Sequence, residues 1–283
     1  MISYQKNSNK KIIIVLASYN GEKFIAEQLQ SIVEQSYKYW VCYIYDDCSI
    51  DLTVNICRKF QLLYPDKFII IQRTTASGSA CRNFSLAYNE LSKNDDYDYM
   101  AFCDQDDVWD KDKLSKMVNI LDKCVEPSLV FSDLNIVDEN LNVLQRSFIN
   151  KISIIKNQHL NEHYLKVDNI VPGCSMMFNR ELISKISEIP DDVIMHDWWM
   201  VICASKYKSI HYIEESLVLY RQHDKNSVGI RKKKLREYLI EYKKHLIKPI
   251  SIFRMLKRDN SINLFYFTFL YLKIFVIKVF KSF

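Results

Sequence analysis

The first hundred residues alternate between short apolar runs and segments with apolar residues at helical spacing. The run that starts at Lys11 is continuous and β-branched, which is typical of a strand buried on both faces of a sheet. Ser49 is a good N-cap and predicts the start of the second helix. The predicted strands are Lys11–Ala17, Trp40–Tyr45, Phe68–Gln72 and Tyr99–Cys103, with helices that end near Gln35, Leu63 and Leu91. This β-α-β order predicts an α/β protein with a single, mainly parallel sheet flanked by helices.

The pattern becomes less regular after Asp112. It still predicts a helix to about Lys123 and another helix that starts near His196. Short strands are predicted at Leu129–Ser132, Ile210–Ile213 and Leu217–Tyr220, with a hairpin around Asp138–Val143. We expect these pieces to extend the same sheet.

Composition places the chain among globular proteins. It has 283 residues, and its 48% hydrophobic content is enough for a substantial core. The eight cysteines form no C-x-x-C pair and no cluster with histidine at zinc-ligand spacing, so we expect reduced and mostly buried thiols. The opening MISYQKNSNKK is followed at once by IIIVLA, which resembles a first strand more than a signal peptide and predicts a cytoplasmic location.

Positive charge is concentrated in the last fifty residues. Residues 230–283 carry fourteen Lys/Arg and three Asp/Glu, a net charge of +11, while 25 basic and 31 acidic residues give residues 1–229 a net charge of −6. The segment 262–280 is rich in Phe, Tyr, Leu and Ile but contains Lys273 and Lys278, which makes it marginal as a spanning helix. A basic amphipathic helix lying on an anionic membrane surface fits it better. The alternative is a helix that docks on the domain's own core or on the partner in a homodimer.

Carboxylates gather after the fourth predicted strand. Asp104, Asp106 and Asp107 lie within four positions, and side chains so close repel one another unless a cation or a proton intervenes. A divalent metal ion, Mn²⁺ or Mg²⁺, would neutralise them together with a bound diphosphate. The alternative is an acidic loop that caps the helix following it.

Polar residues also follow the first two strands. Ligands bind sheets of this kind beyond the carboxyl ends of the strands. Asp46 and Asp47 would accept hydrogen bonds from a pyrimidine base N–H and a ribose hydroxyl, and Tyr19 would pack on the base. The alternative for the two acids is an ordinary turn and helix N-cap.

Three single residues complete the candidate chemistry. Asp197, beside Trp198 and Trp199, suits a general base, although an acid at a helix N-terminus next to two core tryptophans is the structural alternative. His223 would contact a metal ion or diphosphate, and Arg82 would contact phosphate. A lone histidine after a strand and a surface arginine at a helix start are also common as structural residues.

Six segments agree in order and spacing with one known family. They are ASYNGEKFIAEQLQSIVEQS, YDDCSIDLT, AFCDQDDVWDKDKL, VPGCSMMFNREL, HDWWM and YRQHDKNSVG. Together they resemble family 2 glycosyltransferases of the GT-A fold, and within them the rhamnosyltransferase-like group of cell-surface polysaccharide biosynthesis. The third segment is similar to the D-Q-D-D-x-W version of the family's D-x-D metal motif. His196 stands where many relatives have Glu or Gly, so Asp197 has no acidic neighbour.

The resemblance implies a domain at 11–229 with two halves, followed by the tail at 230–283. Residues 11–110 would bind the nucleotide sugar and residues 111–229 the acceptor. The residues implied for the nucleotide are Ala17, Tyr19, Asp46, Asp47, Arg82 and Asp104. The residues implied for the metal ion are Asp106, Asp107 and His223, the catalytic base is Asp197, and the acceptor side is Gly173, Trp198 and Trp199.

The implied activity is inverting, metal-dependent transfer of a sugar from a nucleotide-diphosphate donor. The expected donor is dTDP-rhamnose, with UDP-hexoses as the alternative, and the expected acceptor is a hydroxyl of a lipid-linked or growing surface or capsular glycan. Direct displacement at the anomeric carbon requires no covalent nucleophile. The enzyme would be peripheral on the inner face of the cell membrane.

Two other classes of protein fit parts of the sequence. A nucleotidyltransferase-type sugar-nucleotide enzyme also uses a parallel sheet and metal-binding carboxylates, but ASYNGEKF lacks the glycine-rich, basic phosphate loop of such enzymes. A non-catalytic membrane-associated scaffold would explain the tail but not the carboxylates. Nucleic acid is not expected as a partner, because the body of the chain is negatively charged.

Overall fold

The first half of the chain alternates strands and helices as the hydrophobic pattern predicts. The computed structural model describes residues 10–152, 161–223, 251–258 and 264–281. The elements of the first half are β1 Ile12–Ser18, α1 Ile25–Val33, β2 Trp40–Asp46, α2 Thr53–Leu63, β3 Phe68–Gln72, α3 Ala80–Leu91 and β4 Tyr99–Asp104. All four predicted strands are confirmed to within one residue at each end.

The second half is more irregular, and its strands are longer than predicted. Its elements are β5 Val108–Trp109, α4 Lys113–Leu121, β6 Leu129–Val137, β7 Val143–Gln145, α5 Phe148–Ile152, α6 Glu162–Val167, a 3-10 turn Gly173–Ser175, β8 Met176–Asn179, α7 Arg180–Lys185, α8 His196–Ser205, β9 Ile210–Arg221, α9 at 251–258 and α10 Leu264–Lys281. The two short strands predicted after Ile210 are one strand, β9, whose register against β6 shifts near Asp133. This shift interrupts the alternation of side chains, so the sequence pattern does not show that β9 is one continuous strand.

The strands form one mixed sheet with the order β3-β2-β1-β4-β8-β6-β9-β5, and β7 pairs with β6. The long ladders among β3, β2, β1 and β4 and between β6 and β9 are parallel, while β8 is antiparallel to both neighbours. The chain places β2 on one side of β1 and β4 on the other. The carboxyl ends of β1, β2 and β4 therefore meet, and register brings Ala17 beside Asp104 and Ser18 beside Asp46.

Both faces of the sheet carry a hydrophobic core. Because side chains alternate along a strand, β1 contributes Ile13 and Val15 to one face and Ile14 and Leu16 to the other. The first face is covered by α3, α8 and the two last helices, and the second by α1 and α4. The eight cysteines are all unpaired, as predicted.

The loop after β2 differs from the prediction that Ser49 caps the next helix. Helix α2 begins at Thr53, four residues later. The Ser49 hydroxyl instead donates to Asp46 and accepts from the Asn20 backbone N–H at 2.9 Å. At the start of α2, Asp51 accepts from the Thr53 backbone N–H at 3.0 Å. The loops after β1 and β2 are thus joined to each other.

The two last helices complete the core on the α8 side. Helix α9 buries Ile252 and Leu256, and α10 buries Phe267, Leu270 and Ile274 in the same cluster. Along the part of the chain that the structure describes, no helix combines the length and the apolar character needed to cross a bilayer. The boundary expected at residue 229 and the membrane role of the tail stay predictions.

Replacement of Phe by Ala should lower stability on one face of α10 and leave it nearly unchanged on the other. Phe267 is 4% exposed and Phe269 is 57% exposed. We expect Phe267→Ala to lower the free energy of unfolding by about 3 kcal/mol, because it leaves a cavity in the core. Phe269→Ala, the matched control, should stay within about 0.5 kcal/mol of the parent. Urea unfolding followed by circular dichroism measures both, and equal losses would contradict the packing of α10.

Candidate active site

Two carboxylates at the end of β2 are held by hydroxyl groups from neighbouring loops. Asp46 accepts at Oδ1 from the hydroxyls of Ser18 (3.1 Å) and Ser49 (2.5 Å), and at Oδ2 from the Ser49 backbone N–H (2.9 Å). Asp47 accepts from the backbone N–H (2.6 Å) and the hydroxyl (2.7 Å) of Ser77. A carboxylate has about four lone-pair sites, so each acid retains acceptor capacity at the edge predicted for the nucleotide.

Gln105 positions Tyr19 at the end of β1. The Tyr19 backbone N–H donates to Gln105 Oε1 at 2.9 Å, and the Tyr19 carbonyl accepts from Gln105 Nε2 at 3.0 Å. Gly21 makes room for this contact, because a Cβ there would lie 2.2 Å from Gln105 Oε1. The Tyr19 ring remains 55% exposed. An aromatic face is therefore presented beside the carboxylates of β2.

The carboxylates after β4 form a crowded cluster. One ligand atom each from Asp104, Asp107 and Cys174 lies within 4.8 Å of the others. Burial, with the neighbouring charges of Asp106 and Asp197, raises the pKa of Asp104 to about 7. Burial, with the other two acids of the motif, also raises the pKa of Asp107, whose buried Oδ2 has no well-aligned donor among the described residues. These residues fit a divalent cation, which would satisfy the open oxygen and offset the repulsion.

Lys113 supplies a positive charge behind this cluster. Its buried ammonium donates to the Cys174 carbonyl at 2.5 Å and lies 3.4 Å from the centre of the Trp109 ring. Burial lowers the pKa of Lys113 to about 8, against the opposing effect of the thiols and carboxylates around it. Burial also raises the pKa of the Cys174 thiol. A protonated, soft sulfur is a poor ligand for Mg²⁺ or Mn²⁺, so the oxygen atoms of the cluster are the better ligands.

Arg221 ties the carboxylate loop to the end of β9. Its backbone N–H donates to Asp107 Oδ1 at 3.1 Å, and its Nε donates to the Asp106 carbonyl at 2.7 Å. The two terminal nitrogens donate to the Glu139 carbonyl at 2.5 Å and to the Glu27 carboxylate at 2.6 Å. The side chain is 1% exposed, and these bonds satisfy a guanidinium that would otherwise be costly to bury.

Asp106 and His223 face each other across the same loop. His223 Nε2 lies 2.8 Å from Asp106 Oδ2, and the two side chains are 9% and 16% exposed, respectively. The His223 ring also contacts Phe24, with ring centres 4.8 Å apart. The structure thus brings together an imidazole nitrogen and a carboxylate oxygen, two common metal ligands, from positions 117 residues apart in the sequence.

Asp197 lies in the first turn of α8 and is held from three sides. Its Oδ1 accepts from the Asn169 amide at 3.1 Å and from the Trp198 backbone N–H at 2.6 Å, and its Oδ2 accepts from the Gly173 backbone N–H at 3.0 Å. Three of about four lone-pair sites are therefore used. The Gly173 that donates to Asp197 precedes Cys174, whose thiol lies within 4.8 Å of a carboxylate oxygen of Asp104 and of Asp107, so Asp197 lies near the carboxylate cluster.

His196 packs beside Asp197 as an aromatic ring. It stacks on Phe84 with ring centres 4.3 Å apart, and burial lowers the pKa of His196, which keeps the ring neutral. Neither ring nitrogen has a hydrogen-bond partner among the described residues. A Cβ at position 173 would lie 3.0 Å from His196 Nε2, so Gly173 provides the space for this packing.

Three other predicted site residues are directed toward protein partners. The Arg82 guanidinium pairs with Asp191. Trp198 is 2% exposed, and its indole N–H donates to the Leu165 carbonyl at 2.7 Å. Trp199 is 7% exposed and belongs to the core cluster. The nucleotide role of Arg82 and the acceptor roles of the two tryptophans stay predictions.

Several residues that shape the site were not singled out from the sequence. Gln105 lies in the segment AFCDQDDVWDKDKL and Arg221 in the segment YRQHDKNSVG. Their position inside these motifs could have identified them as site residues. Asn169 lies in irregular sequence with no signal of its own. The other members are Ser18, Ser77 and Lys113, together with Ser49, which the sequence pattern had assigned to a helix cap and not to the site.

Comparison with known proteins places the chain in a family. A family model described as Glycosyl transferase family 2 matches residues 13–187. The dTDP-rhamnosyl transferase RfbG of Shigella flexneri is 32% identical over 222 residues, which cover 76% of this chain and 73% of that protein. The putative teichuronic acid biosynthesis glycosyltransferase TuaG of Bacillus subtilis is 31% identical over 121 residues, which cover 43% of this chain and 44% of that protein.

Solved structures share the fold. Residues 1–349 of Staphylococcus aureus TarS, in complex with UDP, match with a TM-score of 0.58 at 18% identity over 75% of this chain and 60% of that chain. The mannosyltransferase PcManGT from Pyrobaculum calidifontis, in complex with GDP-Man and Mn²⁺, matches with a TM-score of 0.59 at 18% identity over 87% of this chain and 64% of that chain. The chain thus spans less than two thirds of these structures. The GT-A fold expected from the sequence is confirmed, and the chain is a transferase that belongs to glycosyl transferase family 2.

Proposed function

We propose that this chain transfers rhamnose from dTDP-rhamnose to a hydroxyl of a lipid-linked or growing surface glycan, with inversion and with a divalent metal ion. The donor is suggested by RfbG, which is named a dTDP-rhamnosyl transferase and is similar over most of both chains. A UDP-hexose is the alternative, because TarS structures contain UDP or UDP-GlcNAc. The observation that supports the proposal is that the Gly173–Cys174 segment links Asp197, through the Gly173 N–H, to the cluster of Asp104, Asp107 and Cys174.

The nucleotide would bind at the ends of β1 and β2. Tyr19 offers an exposed ring for the base, and Asp46 and Asp47 retain acceptor capacity for a base N–H and a ribose hydroxyl. The diphosphate would then extend along Ala17 toward Asp104, which register places side by side. Arg82 would reach phosphate by exchanging its contact with Asp191.

A divalent metal ion would be held by Asp106, Asp107 and His223, with the donor-side Asp104 adjacent. When bound, such an ion stabilises the negative charge of the departing nucleoside diphosphate. The chain's own part is to keep the loop in place before the donor arrives. Arg221 holds the backbone of Asp106 and the side chain of Asp107, and Lys113 offsets part of their charge.

Asp197 would act as the base on the acceptor. An incoming hydroxyl would donate to the carboxylate site that Asn169 and Gly173 leave open, and its proton would pass to Asp197 as its oxygen attacks the anomeric carbon. The sugar–phosphate bond breaks on the opposite side, and the diphosphate leaves with the electron pair. One displacement inverts the anomeric configuration. Trp198 and Trp199 would support this face from the core.

We further propose that the enzyme works at the inner face of the cell membrane, where a lipid-linked acceptor is available. The support is the net charge of +11 on residues 230–283. No nucleic acid partner is proposed.

Donor identity is tested by thermal shift of the full chain with Mn²⁺. We expect dTDP-rhamnose at saturating concentration to raise the melting temperature by about 5 °C, since a ligand specific for the folded state stabilises it. UDP-glucose and GDP-mannose are the matched controls and should give smaller shifts. A larger shift with a UDP sugar would replace the proposed donor.

The base is tested by Asp197→Asn. We expect transfer to fall by about 10³-fold, because the amide cannot take up the proton, while the thermal shift given by the donor is retained. Asp192→Asn, which changes an exposed acid in the same half of the domain, should leave transfer unchanged. An active Asp197→Asn variant would remove this residue from the base role.

The metal ligands are tested by Mn²⁺ titration of the transfer rate after treatment with EDTA. EDTA should abolish transfer, and Asp106→Asn and His223→Gln should each raise the Mn²⁺ concentration needed for half-maximal activity by at least about tenfold. Cys174→Ser is the control, because the thiol is not a proposed ligand. If Cys174→Ser shifts the titration and the other two variants do not, the metal site would instead be the cluster of Asp104, Asp107 and Cys174.

A further inference from the structure

Helix α10 has two apolar faces, and the described residues cover only one of them. Phe267, Leu270 and Ile274 are 4–5% exposed and pack in the core. On the opposite side of the helix, Phe265, Phe269 and Leu272 are 87%, 57% and 54% exposed. Spacings of four and three residues align these three side chains in one stripe, which we call the outer stripe.

Basic residues accompany the outer stripe. Neither α9 nor α10 contains an Asp or Glu, and α9 exposes Arg254, Lys257 and Arg258, although Arg258 also pairs with Asp192 at 2.9 Å. Lys273 is exposed next to Leu272 on α10, and its Nζ lies 5.4 Å from the centre of the Tyr164 ring. Phe253 of α9 contacts Phe267 on the covered face of α10, with ring centres 5.5 Å apart, so the two helices are neighbours.

This surface is attached to the elements that carry the proposed base. Helix α10 packs on α6, with the ring centres of Tyr266 and His163 5.4 Å apart. Helix α6 leads to Asn169, which donates to Asp197 in the first turn of α8. Any partner that bound the outer stripe would therefore lie close to the half of the domain proposed to bind the acceptor.

We propose that the outer stripe of α10 inserts into an anionic lipid surface, with the basic residues of α9 and α10 on the lipid headgroups. Exposed Phe and Leu flanked by Lys and Arg match the acyl and headgroup layers of such a surface. A second copy of the chain fits less well, because it would bring two positively charged surfaces together. The inference rests on the proposed function in one respect. It takes the acceptor to be lipid-linked, so that membrane binding would bring the acceptor close to the enzyme.

The test is co-sedimentation of the full chain with phosphatidylcholine vesicles that contain phosphatidylglycerol. The triple variant Phe265→Ser, Phe269→Ser, Leu272→Ser should bind at least about tenfold more weakly than the parent, because each apolar side chain contributes to insertion. Vesicles of phosphatidylcholine alone, or added salt, should weaken binding of the parent. The variant should keep the circular dichroism spectrum and the donor-induced thermal shift of the parent, since the altered side chains are exposed.

A matched control removes three exposed apolar side chains elsewhere. Leu62, Leu63 and Val125 are 82%, 71% and 88% exposed, and their replacement by Ser should leave vesicle binding unchanged. Equal binding by the parent and the outer-stripe variant, or a parent that does not sediment, would overturn the proposal. A parent that forms a dimer which the variant loses, without vesicle binding, would assign the stripe to a second copy. Vesicle binding requires no sugar transfer, so its failure would leave the proposed transfer reaction standing and would count only against the proposed membrane location.

Discussion

Mutual repulsion among carboxylates at one end of the sheet is the constraint on which the site depends. Asp104, Asp106 and Asp107 share a short loop, and folding brings Asp197 to the same place. The chain counters part of this charge with a buried lysine and a buried arginine, and it secures the loop through backbone as well as side-chain bonds. Burial and the charges of Asp106 and Asp197 raise the pKa of Asp104, so the proposed divalent ion would relieve a repulsion that the lysine and the arginine offset only in part.

The proposed base is held by a separate part of the molecule. Asp197 depends on the 3-10 turn that presents the Gly173 N–H and on Asn169 just after α6. Helices α6 and α8 in turn support the tail helices through a common core. The proposed donor side would therefore be built on the parallel half of the sheet, and the proposed acceptor side on the irregular half together with the tail. A membrane contact through α10 would act on the acceptor side first.

Elements with a clear hydrophobic period in the sequence were predicted more accurately than elements without one. Strands β1 to β4 were predicted closely, because a buried parallel strand is a continuous apolar run between helical segments. Strand β9 was split in two, because its register shift interrupts the alternation. Ser49 was assigned to a helix cap on local grounds, but its hydroxyl donates to Asp46, three residues away, and accepts from the Asn20 backbone N–H, a partner that the parallel pairing of β1 and β2 brings close.

The sequence by itself determined the fold class, the positions of the acidic motif at strand ends and the family, since these depend on local periodicity and on motifs in order. Tertiary structure decided which groups meet. It brought His223 to Asp106, and it brought Arg221 to the carboxylate loop; both contacts join residues more than a hundred positions apart. It also directed Trp198 into the core. It also showed which face of α10 is covered. Contacts between distant segments depend on strand order and packing, which hydrophobic spacing along the chain does not encode.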